Sequence, residues 1–143
     1  MEHIRILLAH RDTELARRLR AEIAANQSLV WEGAASSLAE ILAACAERAP
    51  QIILLDTALR DASALEIIQA VTEAHSHIHI VGLSDSRNIR LIKDMLRNGA
   101  SGYLLADKPL AHLLACLPAV LLGKTILSGE LISPLLGSST LST

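Results

Sequence analysis

Residues 51–56 read QIILLD: four consecutive branched apolar residues that run straight into a carboxylate. So short and continuous an apolar run fits a strand buried on both faces, as the centre of a helix-covered parallel sheet demands. Pro50 closes the segment before it. Beyond it, Ser63 with Glu66 three residues on has the spacing of a capping box, ahead of Leu65, Ile68 and Val71 at helical period.

The same alternation extends in both directions. Towards the N-terminus, Ile4–Ala9 (IRILLA) reads as a strand and residues 12–26 as a helix with an inward stripe of Leu15, Leu19 and Ile23. Its outer face carries Arg17, Arg18 and Arg20, first of all a solvated face and only then a contact patch. Residues 29–34 give a second strand, and Ser37 with Glu40 a second capping box before Leu38, Ile41, Leu42 and Cys45. Towards the C-terminus, residues 77–83 form a fourth strand ending at Ser84. Ser86 can cap the helix that reaches Arg97, and Gly99 is a natural left-handed stop. Gly102–Leu105 is the fifth strand, and Pro109 opens the last helix where its missing N–H costs nothing. Five β/α units predict an α/β fold with a five-stranded, doubly wound parallel sheet over residues 1–123. Residues 124–143 lose clear periodicity and end in Gly, Ser and Thr, the composition of a linker or tail.

Composition narrows the function classes. Of 143 residues 51% are hydrophobic, yet there is one Trp, one Tyr and no Phe, so the core is built from Leu, Ile, Val and Ala. Thirteen Lys and Arg against 15 Asp and Glu leave a formal net charge of −2. Nucleic-acid binding by this segment itself is disfavoured, because it lacks both a basic excess and aromatic stacking platforms. The longest apolar stretch without Asp, Glu, Lys or Arg, residues 109–123, falls short of the ~20 residues that span a bilayer and contains His112 and Pro118. No signal-peptide pattern opens the chain, and a cytoplasmic protein is expected. Cys45 and Cys116 each lie in Ala- and Leu-rich helical pattern and are expected as reduced thiols.

In an open α/β sheet, ligands bind beyond the carboxyl ends of the strands. Here those ends carry His10 and Arg11, Asp56, Ser84 and Ala106. A carboxylate closing a fully apolar central strand is costly unless paired or functional, which makes Asp56 the residue to explain.

Together with Val81-Gly-Leu-Ser84, Asn98-Gly-Ala-Ser-Gly-Tyr-Leu-Leu105 and Leu127-Ser-Gly-Glu-Leu131, the Ile52-Ile-Leu-Leu-Asp56 segment resembles a response-regulator receiver domain of the NarL/LuxR type. The resemblance implies a CheY-like fold in which the aspartate after the third strand accepts a phosphoryl group from a histidine kinase. It further implies an acidic pair after the first strand that holds Mg²⁺, a Ser/Thr and a Lys that bind the phosphoryl oxygens, and an aromatic in the fifth strand that reports the switch. Carried over, Asp56 falls on the acceptor, Ser84 on the hydroxyl and Tyr103 on the switch aromatic. The acidic pair is His10 and Arg11, the lysine position is Ala106, and the usual proline four residues past the acceptor is Arg60. Without the carboxylates a divalent ion loses its hard oxygen ligands, so no cofactor is expected and the Mg²⁺ site is expected to be lost. Asp12 can offer one oxygen but is better placed as a helix cap.

Two arrangements are open for Arg11. Its guanidinium can pair bidentately with Asp56, imitating the metal-bound state with Ser84 as a further donor, or it can turn to solvent and leave Asp56 a hydrated vestige. His75, His77 and His79 alternate at period two as metal ligands on a strand do, but nothing completes a ligand set, and a polar loop entering the strand is the expected reading. On the last helix, Leu114, Leu121 and Leu122 lie beyond a core stripe of Leu110, Leu113, Leu117 and Val120, which predicts a homodimer contact, while Pro118 should bend or break the helix.

The expected function is an atypical receiver: a regulatory and dimerisation module of a transcription regulator, working without Mg²⁺-dependent phosphorylation and not as an enzyme. DNA contact would belong to a helix-turn-helix domain that the resemblance implies downstream, and no membrane partner is expected. A conventional phosphorelay receiver phosphorylated on Asp56 is the alternative. A small doubly wound enzyme lacks a Gly-rich phosphate loop or a G-x-S-x-G motif to support it.

Overall fold

The computed structural model describes residues 3–59 and 61–137. Strand and helix alternate as β1 (Ile4–Ala9), α1 (Thr13–Ala24), β2 (Leu29–Ala35), α2 (Leu38–Arg48), β3 (Ile52–Leu55), α3 (Ala64–Ala74), β4 (His79–Ser84), α4 (Ile89–Arg97), β5 (Gly102–Leu105), α5 (Leu110–Cys116), a 3₁₀ turn (Leu117–Leu122), β6 (Ile126–Leu127) and α6 (Gly129–Leu136). The strands form one parallel sheet in the order β2-β1-β3-β4-β5-β6.

The two-sided burial expected of residues 51–55 is realised in β3. Ile53 and Leu55 pack with Leu7, Ile67, Ile68, Val71, Ile92 and Met95 on the face covered by α2, α3, α4 and α6. Ile52 and Leu54 pack with Ile6, Leu8, Leu15, Leu19, Leu113 and Leu117 on the face covered by α1 and α5. Each such aliphatic side chain contributes about 1.5–3 kcal/mol on leaving water, which is how a nearly aromatic-free core suffices. Tyr103 is the one aromatic fully buried in it. Cys45 and Cys116 are both free thiols, the first buried and the second exposed.

Local signals account for most helix ends. Asp12 caps α1, its side chain accepting from the N–H groups of Glu14 and Leu15. Ser63 and Glu66 form a complete capping box on α3. Ser37 accepts from the Glu40 N–H, but Glu40 reaches back to Ser36 instead of Ser37, so the second box is only half made. The cap of α4 is Asn88, which accepts from the Leu91 N–H, and not Ser86 as expected. Gly99 stands at φ +108 just past that helix, the left-handed stop its sequence predicts.

Three expectations need correction. The sheet has six strands, because the tail expected from Lys124 instead folds back through residue 136 onto the domain. Ile126 and Leu127 pair with Gly102 and Tyr103, and Leu131 and Leu135 of α6 enter the core. Gly102 permits this, since a Cβ there would collide with the Ile126 carbonyl oxygen. Second, Leu114 is buried and cannot serve as a dimer contact: with Leu110, Leu113 and Leu117 it completes the i, i+3, i+4, i+7 stripe of α5. Leu121 packs partly on the same core, and of the three proposed contact leucines only Leu122 is exposed, at 78%. Third, β4 begins at His79, after the polar turn that carries His75 and His77. Pro118 behaves as expected, the last helix passing from α to 3₁₀ geometry around it.

Candidate functional site

The chain leaves β1 for β2 on one side and reaches β3 on the other, so the crevice between the carboxyl ends of β1 and β3 is a topological switch point. Asp56 follows β3 there and is 3% exposed, while His10 and Arg11 follow β1. The strands hold these ends level, the Asp56 N–H donating to the Ala9 carbonyl at 2.7 Å. A cleft of about 240 Å³ opens above them, with Arg18, Asp85 and Asp107 on its rim beside Asp12, Ser84 and Ala106.

Both residues that follow β1 converge on one oxygen of Asp56. Oδ2 accepts from the Arg11 backbone N–H at 3.3 Å, and the Arg11 Nε lies 3.4 Å from it. The other oxygen, Oδ1, accepts from the Ala58 N–H at 3.0 Å. The Arg11 side chain is 61% exposed and its guanidinium touches Asp56 at the cleft mouth through one nitrogen, an arrangement between the bidentate fork and the solvent-facing side chain that the sequence leaves open.

His10 is locked by a different set of bonds. Its Nε2 bonds the Leu83 carbonyl at 3.2 Å, and its Nδ1 accepts from the Asp12 N–H at 3.1 Å. A carbonyl needs a donor and an N–H needs an acceptor, so both bonds require a neutral ring with its proton on Nε2. The same Nδ1 stands 3.4 Å from Asp56 Oδ2, a distance at which only protonated histidine would be an ion-pair partner. The bond to Asp12 argues for the neutral form.

Ser84 is buried, but its bonds lie along the strand ends and do not reach Asp56. Its Oγ accepts from the Thr57 hydroxyl at 3.1 Å and from the Ser86 N–H at 3.1 Å. Tyr103 completes this network, its hydroxyl donating to the Ser86 carbonyl at 2.7 Å. Burial pushes the Tyr103 hydroxyl pKa up, against the opposing pull of hydrogen bonds to Ser84, Ser86 and Thr57. Gly82 makes the ring's place, since a Cβ there would lie 2.5 Å from Tyr103 Cδ2. Thr57 went unnoticed in the sequence, though its position beside Asp56 was the available signal.

At the lysine position, the Ala106 N–H donates to the Ser84 carbonyl. The nearest lysine, Lys108, pairs with Glu130 of α6. Arg87 bonds the same Glu130 at 2.9 Å and Asp107 at 3.1 Å, so one chain of charges ties the loops after β4 and β5 to α6. Arg60 lies outside the described residues. The three histidines do not converge: the rings of His75 and His77 meet edge to face at 6.2 Å, whereas His79 bonds the Ser101 hydroxyl. Among the described residues no group of three or more His, Cys, Asp or Glu side chains is placed to hold a metal ion, and no helix is long and apolar enough to cross a membrane.

The family model described as response regulator receiver domain matches residues 6–117. No curated protein matches the chain. Among solved structures, a LuxR-family two-component response regulator from Aurantimonas sp. SI85-9A1 superposes with a TM-score of 0.87 at 18% identity, covering 95% of this chain and 97% of that one. The signal receiver domain of the putative response regulator NarL from Mycobacterium tuberculosis gives 0.80 at 18% identity, over 87% and 100%. The RcsB response regulator of Salmonella typhimurium gives 0.85 at 14% identity, over 99% and 69%, and a further structure contains two RcsB dimers bound to two parallel DNAs. At these identities the structures establish a common fold, and the family match establishes kinship: the chain belongs to the receiver domains of two-component response regulators, with LuxR- and NarL-type regulators as its structural neighbours.

Proposed function

We propose that this receiver works without Mg²⁺-dependent phosphorylation, as the cytoplasmic regulatory and dimerisation module of a NarL/LuxR-type transcription regulator. One observation carries the reading: the main-chain N–H and Nε of Arg11 both face Asp56 Oδ2, on the side where the resemblance calls for a metal. Mg²⁺ takes an octahedral shell of oxygens at about 2.0–2.1 Å. The residues present do not fit it. Arg11 is a cation, the Nδ1 of His10 is occupied by the Asp12 N–H, and the Asp12 side chain is committed to capping α1. Phosphoryl transfer depends on neutralising the oxygens of the moving group, and Ala106 offers no charge for that where a lysine would.

The output would then follow a partner or ligand instead of a phosphoryl group, from a histidine kinase or any other donor. Homodimer formation is supported by the RcsB dimers on DNA, and in this reading DNA contact would belong to a downstream domain. The test is intact mass after incubation with Mg²⁺ and an acyl phosphate donor. The unmodified protein is expected to gain no adduct, and a single phosphoryl group mapped to Asp56 would overturn the proposal in favour of conventional phosphorelay.

A further inference from the structure

We propose that the groove between α1 and the outer edge of β2 docks an acidic, extended segment of a partner protein. Arginines from two helices converge there: Arg17 and Arg20 from α1 and Arg48 from the end of α2, around the half-buried Trp31 of β2. They arrive by construction and not by chance of surface composition. The Arg48 guanidinium crosses the sheet edge to donate to the Glu32 carbonyl, and it can do so because residue 33 is glycine at φ +114, where a Cβ would occupy the place of Nη1.

The charge is not spent internally. Arg17 pairs with Glu14, but among the described residues neither Arg20 nor Arg48 has a carboxylate partner. Glu32 also lines the groove but pairs with neither, so a chain of net charge −2 presents two guanidiniums without an ion-pair partner beside its one indole. Carboxylates answer guanidinium forks bidentately, and the indole face offers apolar contact to the stem of an acidic side chain.

Shape selects among anionic ligands. The depression holds about 680 Å³ but is shallow and open to solvent, whereas small-molecule sites enclose most of their ligand. A nucleic acid would call for a net basic chain and several stacking platforms, whereas this chain carries −2 and the groove offers one indole. Arg48 blocks the β2 carbonyl at Glu32, so the segment lies across the edge and does not extend the sheet as an added strand. The groove also continues past Thr13 and Ala34 to His10 and Arg11, with Glu40 on its wall held by Ser36, so a docked segment would end beside the guanidinium that faces Asp56. Docking does not depend on the phosphorylation state of Asp56, and its failure would leave the proposed function standing.

Trp31 is the only tryptophan and reports the groove directly. The probe is a decapeptide of Glu and Ala without aromatics, titrated against the intact chain while Trp31 emission is followed. A saturable change is expected, weakening as NaCl rises from about 50 to about 300 mM. Arg20→Glu and Arg48→Glu should each weaken binding by about ten-fold or more, whereas Arg90→Glu, at an exposed position of α4 that does not line the groove, should leave it unchanged. The Arg20 side chain makes no hydrogen bond or ion pair among the described residues, so its variant keeps the test valid even if loss of the Arg48 to Glu32 contact perturbs folding. No saturable change, an equal response in the Arg20→Glu protein, or tighter binding of inorganic phosphate or an oligothymidylate than of the peptide would each overturn the proposal.

Discussion

Asp56 illustrates how a single position joins burial and function. The carboxylate is nearly inaccessible, yet both of its oxygens are occupied by donors from neighbouring backbone, and Arg11 adds a cation at the rim. Removing the acceptor should therefore cost more than removing the cation. Asp56→Ala leaves the N–H groups of Arg11 and Ala58 unmatched and is expected to lose about 1–3 kcal/mol of stability. Arg11→Ala keeps its own backbone bond and loses only a solvent-exposed contact, about 1 kcal/mol or less and smaller still in high salt. Denaturant melts at two salt concentrations rank the pair, and equal losses would contradict this division. Tyr103 gives a second residue-level expectation. Its hydroxyl has a pKa raised by burial above the ordinary 10.0, so its share of stability is intact below pH 10 and is lost as pH climbs through the higher folded value. Tyr103→Phe should flatten that part of the alkaline unfolding curve while costing about 1 kcal/mol at neutral pH for the lost bond to Ser86. Strand-end position made Asp56, His10 and Arg11 legible in the sequence, and the family resemblance singled out Tyr103 within the fifth strand. The bonds that lock His10 were not, because they depend on ring orientation towards Leu83 and Asp12, which spacing alone does not encode.

At the scale of elements, β3 was the most legible part of the chain, since a run of Ile and Leu long enough for one strand and too short for a helix admits few other readings. The β6 and α6 segment was the least. A two-residue strand has no period to detect, and Pro134 inside α6 and Gly129 at its start imitate a linker. The spacing of Leu131 and Leu135 was the signal available, and both are buried. Leu131→Ala should accordingly cost about 2–5 kcal/mol in thermal or chemical unfolding, where a linker residue would cost almost nothing. The caps give a second test. Ser63→Ala and Ser37→Ala each remove one Oγ that accepts from the N–H three residues on, while the backbone N–H of residue 63 keeps its bond to Glu66, so each should cost about 1 kcal/mol. Hydrogen bonds from Ser63 hold the Glu66 carboxyl below its ordinary 4.5, so its support of α3 is present above that pH and fades as pH falls through the lower folded value. Helicity followed through an acid titration should lose this contribution in Glu66→Gln.

The whole molecule brings Asp56, His10 and Arg11 together where the strand order reverses. A parallel sheet with its switch point between β1 and β3 sets Asp56 against whatever follows β1, and in this chain that is His10 and Arg11. Assembly enters at the same scale: Leu122 and, on α6, Ile132 and Leu136 remain exposed apolar side chains, while Leu114 is spent on the core. The proposed homodimer predicts that sedimentation at rising concentration resolves a two-chain species, and a single-chain species throughout would remove that part of the account. The central claim is that Arg11 stands where a metal would. Carbon-13 NMR of the Asp56 side-chain carboxylate during a Mg²⁺ titration tests it most directly. The account predicts a resonance that does not respond in the native protein and responds saturably in His10→Asp/Arg11→Asp; a saturable shift in the native protein would contradict it.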